Sequence, residues 1–139
     1  MLITRPANPE DAQAISQLMQ QLGYEISPEL MQSKIEFMTM SEMDAVFVAE
    51  ITDQIVGVIS IHALELFHAC GKLGRITSLV VDKNMRQQGV GKLLFSTTES
   101  FFRAQNCVRI EVTSSDHRTD AHAFYQSLGF KIDQRRFIK

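Results

Sequence analysis

A glycine-containing segment in the middle of the chain has the residue types that bind phosphate. An apolar run, Leu79–Val81, leads through Arg86 to Gly89 and Gly91, where a helical pattern begins. Glycine lets a ligand approach the backbone closely, and the free amides and the dipole of a helix N-terminus favour a dianion. Arg86 and Lys92 add positive charge nearby. The alternative is a tight strand-to-helix turn whose glycines only relieve strain, and for an isolated Gly-x-Gly that interpretation is preferred.

Two other glycine motifs are excluded by their spacing. A dinucleotide-binding fingerprint requires a third glycine where this chain has Leu94, and a P-loop requires glycine where it has Arg86. Hydride transfer and nucleotide hydrolysis are therefore not predicted. Cys70 and Cys107 are isolated and have no His pair at metal-binding spacing, so neither a metal nor a disulfide is expected.

The elements that would position this segment form a mixed α/β pattern. Helices are predicted over 9–22, 28–40, 89–105 and 119–128, and strands over 2–5, 45–51, 55–64, 76–82, 108–113 and 130–137. Asn8 followed by Pro9 is a typical helix start, and Gly23 is a typical helix end. The short polar connection 52–54 predicts that the strands beside it are antiparallel. The helix between the fourth and fifth predicted strands predicts that those two are parallel.

The composition is that of one ordinary globular domain, with 139 residues of which 45% are hydrophobic and 22% charged. A net charge of −2 gives no overall positive field, so neither nucleic acid nor a membrane surface is expected as a partner. The longest apolar run, Ala45–Ala49, is far shorter than a membrane-spanning helix. No secretory or transit signal is evident at the N-terminus, and the cytoplasm is therefore the expected location.

Two motifs taken together resemble the GNAT-type N-acetyltransferase superfamily. The first is Arg86-x-x-Gly89-x-Gly91 after an apolar strand, and the second is Tyr125 on the last predicted helix. Their order and spacing agree with the superfamily, as does the predicted β-α-α-β-β start of the chain. The resemblance implies an acyl-CoA N-acyltransferase fold, a single three-layer domain over residues 1–139 in which helices flank a mostly antiparallel mixed sheet.

The resemblance also implies roles for individual residues, with acetyl-CoA as cosubstrate and no metal. The strand before the motif would pair with the pantetheine arm, and the turn after it would hold the pyrophosphate mainly through main-chain amides. The residues implied for cofactor binding are Leu79, Val80, Val81, Arg86, Gln87, Gln88, Gly89, Val90, Gly91 and Lys92. Tyr125 would protonate the departing thiolate, which a phenol of pKa ~10 can do at neutral pH. The alternative for Tyr125 is a core position on an amphipathic helix.

A general base is not evident, because the region where many members have an acidic residue is 74–78, which contains none. An amine of pKa ~10 must lose a proton before it attacks, so an acceptor for that proton is required. The candidates are Glu111, on the strand after the motif helix, and His62, on the third predicted strand. Glu65 and His68 are the next candidates.

Several cations could recognise the acceptor. Arg118 stands where many members have an asparagine, and it could contact the cofactor or an anionic group of the acceptor. Arg75, His68 and His117 could join it to favour a carboxylate or a phosphate on the acceptor. A solvated loop charge is the alternative interpretation of Arg118.

The function that these observations favour is transfer of an acetyl group from acetyl-CoA to a primary amine by direct attack in a ternary complex. The acceptor would be a small molecule or a peptide. Cys70 and Cys107 have no evident His partner, so no covalent nucleophile is expected. A non-catalytic acyl-CoA-binding module and a purely structural interaction domain are the alternatives. A homodimer is expected by family analogy only.

Overall fold

Residues 1–114, 118–133 and 136–139 are described by the computed structural model of the chain. The strands are β1 (Leu2–Pro6), β2 (Asp44–Ile51), β3 (Gln54–Glu65), β4 (Lys72–Val81) and β5 (Cys107–Val112). The helices are α1 (Ala12–Leu22), α2 (Pro28–Thr39), α3 (Val90–Ala104) and α4 (Thr119–Ser127). One sheet has the order β1-β2-β3-β4-β5, in which the first four strands are antiparallel and β5 is parallel to β4.

Helices cover both faces of this sheet, as a three-layer fold requires. On one face, Ile15 and Leu18 of α1 and Ile35 of α2 pack against Val48 and Val58 of the sheet. The opposite face is covered by α3, whose buried residues are Val90, Leu94, Phe95, Thr98 and Phe102. Their spacing of three, four and one places them on one side of the helix. The predicted fold class is therefore confirmed.

Strand β4 begins at Lys72, four residues before the predicted start at residue 76. The additional residues include Lys72 and Gly74, which have low strand propensity in isolation. They are extended because β3 pairs with them on one side and β5 on the other. A Cβ atom on Gly74 would lie 2.8 Å from the Phe102 ring, so the glycine lets α3 approach the sheet.

The strand predicted over residues 130–137 is wrong for the described part of that range. Residues 130–133, 136 and 137 form no strand, and residues 134 and 135 lie outside the described part of the chain. Apolar alternation there is limited to Phe130 and Ile132, and the following residues are mostly charged or polar, so they give no continuous apolar face to bury. Phe137 and Ile138 are both largely exposed.

Within the described ranges, no helix combines the length and the apolar character needed to cross a bilayer. The same residues contain no group of three or more His, Cys, Asp or Glu side chains placed to hold a metal ion. Cys70 and Cys107 are free thiols. Burial raises the pKa of the Cys107 thiol, and the nearby Lys72 charge offsets part of that effect.

Asp11 joins the start of α1 to the edge of the sheet. Its carboxylate accepts hydrogen bonds from Arg5 Nη1 at 2.8 Å and Nη2 at 2.9 Å, and from the Asn8 amide at 2.8 Å. Burial by itself would raise the pKa of Asp11, but the bonds from Arg5 and Asn8 outweigh it and lower the pKa. The stability that this carboxylate contributes is present above its unfolded pKa of ~3.9 and is lost as pH falls through the lowered folded pKa.

Asp11→Asn is expected to lower the free energy of unfolding at neutral pH by roughly 1–3 kcal/mol, because hydrogen bonds to charged groups are lost from a largely buried site. Urea unfolding at pH 7 and below pH 3 measures the effect, which is expected to shrink at the lower pH. Glu50→Gln is the matched control, since its carboxylate reaches the same Arg5 at 3.3 Å and 3.5 Å. Equal losses in the two variants would contradict the special role of Asp11.

Candidate active site

A cleft opens where β4 and β5 separate. Their pairing runs from Lys72 to Ile76 of β4 and ends at Val112 of β5, so the second half of β4 pairs with no described strand on that side. The cleft has a volume of about 1010 Å³. It is lined by the end of β4, the turn into α3, the first residues after β5, and α4. The sequence motifs quoted above therefore meet in one cavity.

The backbone of β4 presents hydrogen-bonding groups to this cleft. The amide of Asp82 donates to Val56 O of β3 at 2.8 Å. Because alternate residues of a strand point their N–H and C=O groups to opposite sides, Val80 also faces β3. Leu79 and Val81 consequently face the cleft. Of the three strand residues implied for cofactor binding, these two have backbone groups available there.

The turn between β4 and α3 is shaped for close approach of a ligand. Gln87 and Gly89 have positive φ angles of 61° and 85°. A Cβ atom on Gly89 would meet no heavy atom within 4 Å, so the space beside it is open. The first amides of α3, which follow Gly89, have no partner within the helix. This arrangement fits the negatively charged phosphates of a nucleotide cofactor.

Gly91 has a different function from Gly89. A Cβ atom on Gly91 would lie 3.0 Å from Cζ of Phe124 on α4. The glycine therefore lets α4 pack against the start of α3, which sets the position of the next residue, Tyr125. The sequence indicated ligand approach or relief of strain in a turn at this position, and not packing against α4.

Arg86 lies beside the same turn. Its Nε donates to Val81 O at 3.4 Å, and its Nη1 is 3.8 Å from Oδ2 of Asp120 at the start of α4. The guanidinium group thus links the end of β4 to α4, on the rim of the cleft. Lys92 also lines the cleft.

Tyr125 lines the cleft from α4, opposite the end of β4. Its ring packs edge-on against Phe124 and Phe130, with ring centroids 5.5 Å and 5.6 Å apart. Burial raises the pKa of Tyr125 to about 12, although the Arg118 charge lowers it in part. The hydroxyl makes no hydrogen bond to another described residue. It is therefore a protonated donor facing a cavity.

Arg118 closes one side of the cleft. Its Nη2 donates to Leu22 O at the end of α1, at 2.9 Å, across 96 residues of sequence. The bond uses one nitrogen of the guanidinium group, and the side chain also lines the cleft. His117, which was grouped with Arg118, lies outside the described residues.

Of the two candidate bases, His62 lies on β3 between two polar partners. Its Nδ1 is 2.7 Å from Oδ1 of Asp44, and its Nε2 is 2.8 Å from Oγ1 of Thr77. Thr77 lines the cleft, whereas His62 does not. Sequence reasoning missed Asp44 and Thr77. The signal that could have found them is strand register, which pairs Asp44 with His62 on adjacent strands.

Glu111 lies on β5 and is already held by two guanidinium groups. Arg75 Nη1 and Arg109 Nη2 are each 3.0 Å from its oxygens. Arg75 also donates to Thr113 Oγ1 at 3.0 Å, so this candidate acceptor-binding cation has structural partners. Glu111 does not line the cleft.

His68 is exposed in the β3–β4 connection, as is most of that loop, whereas Glu65 ends β3 beside it. Neither residue lines the cleft. Leu79 is seven residues along the strand from the start of β4, and a strand rises about 3.3 Å per residue. The loop is therefore roughly 23 Å from the part of β4 that faces the cleft.

Comparison with known proteins defines the class. A model of the acetyltransferase (GNAT) family matches residues 12–130, which is most of the chain. The chain therefore belongs to the GNAT family of acetyltransferases, as its motifs predicted.

Individual relatives agree with this assignment. The chain is 35% identical over 86 residues to an aminoalkylphosphonate N-acetyltransferase of Salmonella typhimurium, a match that covers 62% of this chain and 56% of the relative. It is 32% identical over 92 residues to a glucosamine 6-phosphate N-acetyltransferase of Trypanosoma brucei brucei, covering 66% of this chain and 60% of that protein. The chain thus spans less than two thirds of the length of either curated relative.

A solved structure of an aminoglycoside N-acetyltransferase in complex with CoA has the same fold. The TM-score is 0.87, the match covers 100% of this chain and 93% of that one, and 18% of residues are identical. At this level of identity the likeness shows the fold alone.

Proposed function

We propose that the chain transfers the acetyl group of acetyl-CoA to the primary amine of a small acceptor that bears a phosphate or phosphonate group. One observation supports the transfer above all others. The outward-facing backbone of Leu79 and Val81, the open turn at Gly89 and the protonated hydroxyl of Tyr125 line a single cleft. A thioester with a long phosphorylated arm requires these three kinds of group in one site.

The residues that line the cleft fit both the pyrophosphate and the pantetheine arm of acetyl-CoA. Gly89 leaves open space beside the free amides of α3, and Arg86 and Lys92 lie on the rim with positive charge, which suits the pyrophosphate. Leu79 and Val81 offer backbone groups for the amides of the pantetheine arm. Acetyl-CoA supplies the activated acetyl group when bound.

Different groups of the chain carry out the separate steps of the transfer. An outward amide of β4 donates a hydrogen bond to the thioester carbonyl and stabilises the charge that develops on it during attack. Tyr125 donates its proton to the departing thiolate. Burial around Tyr125 excludes water from that step, and most of the rate is expected to come from positioning the two reactants.

His62 is the better candidate for the base that takes the proton of the amine. Its Nε2 is 2.8 Å from the hydroxyl of Thr77, which lines the cleft, so it has a route to the reacting groups. Glu111 is bound by two arginines and does not line the cleft. We therefore assign the role of base to His62.

The names of the two curated relatives support this class of acceptor. The two curated relatives are named for an aminoalkylphosphonate and for glucosamine 6-phosphate. These acceptors share a primary amine and an anionic phosphorus group. Among the cations proposed for acceptor recognition, Arg118 lines the cleft, and only its Nη2 donates to Leu22 O. We assign the phosphate or phosphonate contact to Arg118.

Matched acceptor pairs test this proposal. The parent chain is expected to acetylate 2-aminoethylphosphonate better than ethylamine, and glucosamine 6-phosphate better than glucosamine. Arg118→Ala is expected to raise the KM of the charged member of each pair by ~10- to 100-fold, since hydrogen bonds to charged groups contribute about 1.5–3 kcal/mol.

The same variant should leave the KM of ethylamine and glucosamine within about twofold, because these acceptors make no ionic contact with Arg118. Steady-state kinetics with free CoA as the detected product measures all four acceptors. Equal changes within each pair would contradict recognition of the phosphorus group. Tight calorimetric binding of acetyl-CoA with no transfer to any acceptor would favour a non-catalytic acyl-CoA-binding module instead.

A further inference from the structure

Four polar side chains on the sheet form a continuous hydrogen-bonded row that ends in the cleft. Asp44 of β2, His62 of β3 and Thr77 of β4 lie side by side across three strands, with distances of 2.7 Å and 2.8 Å between successive partners. Ser60 Oγ lies 2.7 Å from Thr77 Oγ1. The row lies on the face of the sheet that α1 and α2 cover. Asp44 is on the same face of β2 as Val48, and His62 is on the same face of β3 as Val58, because residues an even number apart on a strand point to one side.

The donor and acceptor inventory fixes the direction of the protons along this row. Both carboxylate oxygens of Asp44 are used, because Oδ1 meets His62 and Oδ2 accepts from Ser41 at 2.7 Å. An ionised carboxylate only accepts, so His62 Nδ1 must bear the proton. In the neutral imidazole Nε2 is then the acceptor. Thr77 Oγ1 has one proton and two possible acceptors, His62 Nε2 at 2.8 Å and Ser60 O at 3.3 Å, and the shorter contact assigns that proton to His62.

Thr77 then has a free lone pair where the substrate would lie. Its hydroxyl proton is given to His62, so the contact with Ser60 must be one in which Ser60 Oγ donates to Thr77. A hydroxyl oxygen has two lone pairs, and Ser60 uses one of them. Thr77 is exposed and lines the cleft beside Leu79. The remaining lone pair is available to an amine.

We propose that Asp44, His62 and Thr77 form a proton relay that deprotonates the attacking amine. A proton of the substrate ammonium passes to Thr77 Oγ1 while the Thr77 proton passes to His62 Nε2, and the freed lone pair of the amine then forms the bond to the acetyl carbon. The second proton that the nitrogen loses replaces the one that Tyr125 gives to the thiolate. His62 becomes an imidazolium whose charge Asp44 balances. The electron pair of the broken C–S bond leaves with the thiolate, which Tyr125 protonates. This proposal rests on the proposed function and deepens it.

The roles of the three residues differ. Thr77 touches the amine and is a catalytic residue. His62 acts through Thr77, because it does not line the cleft itself. Asp44 is a positioning residue that fixes the tautomer and the ring orientation of His62. The relay also explains how acetyl transfer can proceed although residues 74–78 contain no acidic side chain.

Removal of the Thr77 hydroxyl is the decisive test, with acetyl-CoA and either 2-aminoethylphosphonate or glucosamine 6-phosphate as substrates. Thr77→Val keeps the shape and is expected to lower kcat by ~100-fold or more, as loss of general base catalysis does. Thr77→Ser restores the hydroxyl and is expected to recover most of the rate. Thr4→Val is the matched control, because it removes a strand hydroxyl that bonds to Thr97 at 2.8 Å, away from the relay.

Two further readouts separate the relay from a merely structural contact. Nitrogen NMR of the parent chain is expected to show the Nδ1–H tautomer of His62, and Asp44→Asn to change it. His62→Ala is expected to regain activity when imidazole is added, while Thr77→Val does not.

The outcomes distinguish the two proposals. A Thr77→Val rate equal to that of the parent chain would overturn the relay alone, and so would an Nε2–H tautomer in the parent chain. No transfer by the parent chain to any amine would remove the proposed function and the relay with it.

Discussion

Gly89→Glu is expected to lower the affinity for acetyl-CoA by ~100-fold or more, because a like-charge contact costs several kcal/mol and each 1.4 kcal/mol is a factor of ten. The new side chain would occupy the open space beside Gly89 and would place a carboxylate where the pyrophosphate is proposed to bind. Isothermal titration with acetyl-CoA measures the change directly. Affinity that matches the parent chain would show that the phosphates bind elsewhere.

Gly89→Ala is the control for strain alone. The φ angle of Gly89 is 85°, a conformation that costs a residue with a Cβ roughly 1–2 kcal/mol. Its methyl group would meet no heavy atom within 4 Å, so it fills little of the space that a ligand needs. Gly89→Ala is therefore expected to lower the melting temperature as Gly89→Glu does, yet to keep most of the affinity. Comparison of the two variants separates charge and bulk from backbone strain.

Tyr125→Phe is expected to lower kcat by ~100- to 10,000-fold, the range typical of a lost general acid. The KM for acetyl-CoA should change little, because the phenyl ring keeps the packing against Phe124 and Phe130. Thermal unfolding supplies the control. The Tyr125 hydroxyl has no hydrogen-bond partner among the described residues, so its removal should leave the melting temperature nearly unchanged.

The pH profile gives an independent check on Tyr125. Burial raises the pKa of the phenol to about 12, so the group stays protonated at every lower pH. A general acid loses activity when pH rises through its pKa, and this loss is therefore expected only near pH 12. An alkaline limb of kcat centred near pH 10, present in the parent chain and absent from Tyr125→Phe, would contradict the buried, raised-pKa acid described here.

The elements were predictable from the sequence where the local signal and the tertiary packing agree. The start of the first helix has Asn8 and Pro9, and the structure has a capped turn over Pro9–Asp11 followed by α1. The apolar strands and the crossover helix were found for the same reason. The first residues of β4 were not predicted, because Lys72 and Gly74 are extended by their neighbours rather than by their own propensity.

The candidate site was predictable only in part. The glycine turn and Tyr125 are contiguous signals, and the structure places both in one cleft. Asp44 and Thr77 are ordinary strand residues, separated from His62 by 18 and 15 positions in the sequence. They become neighbours through strand pairing, which a local pattern does not show. The partners of Glu111 and Arg118 likewise depend on elements distant in sequence.

The separation of β4 from β5 also has a thermodynamic consequence. Within the described chain the outer backbone groups of Leu79 and Val81 have no strand beside them, and a pantetheine arm bound there as proposed would act as a temporary extra strand of the sheet. A ligand that binds only the folded chain adds about 2.7 kcal/mol to its folding free energy when present at 100 times its Kd. Under the proposed binding mode the cosubstrate would become part of what holds the domain together, and the persistence of the folded chain would depend on the supply of acetyl-CoA.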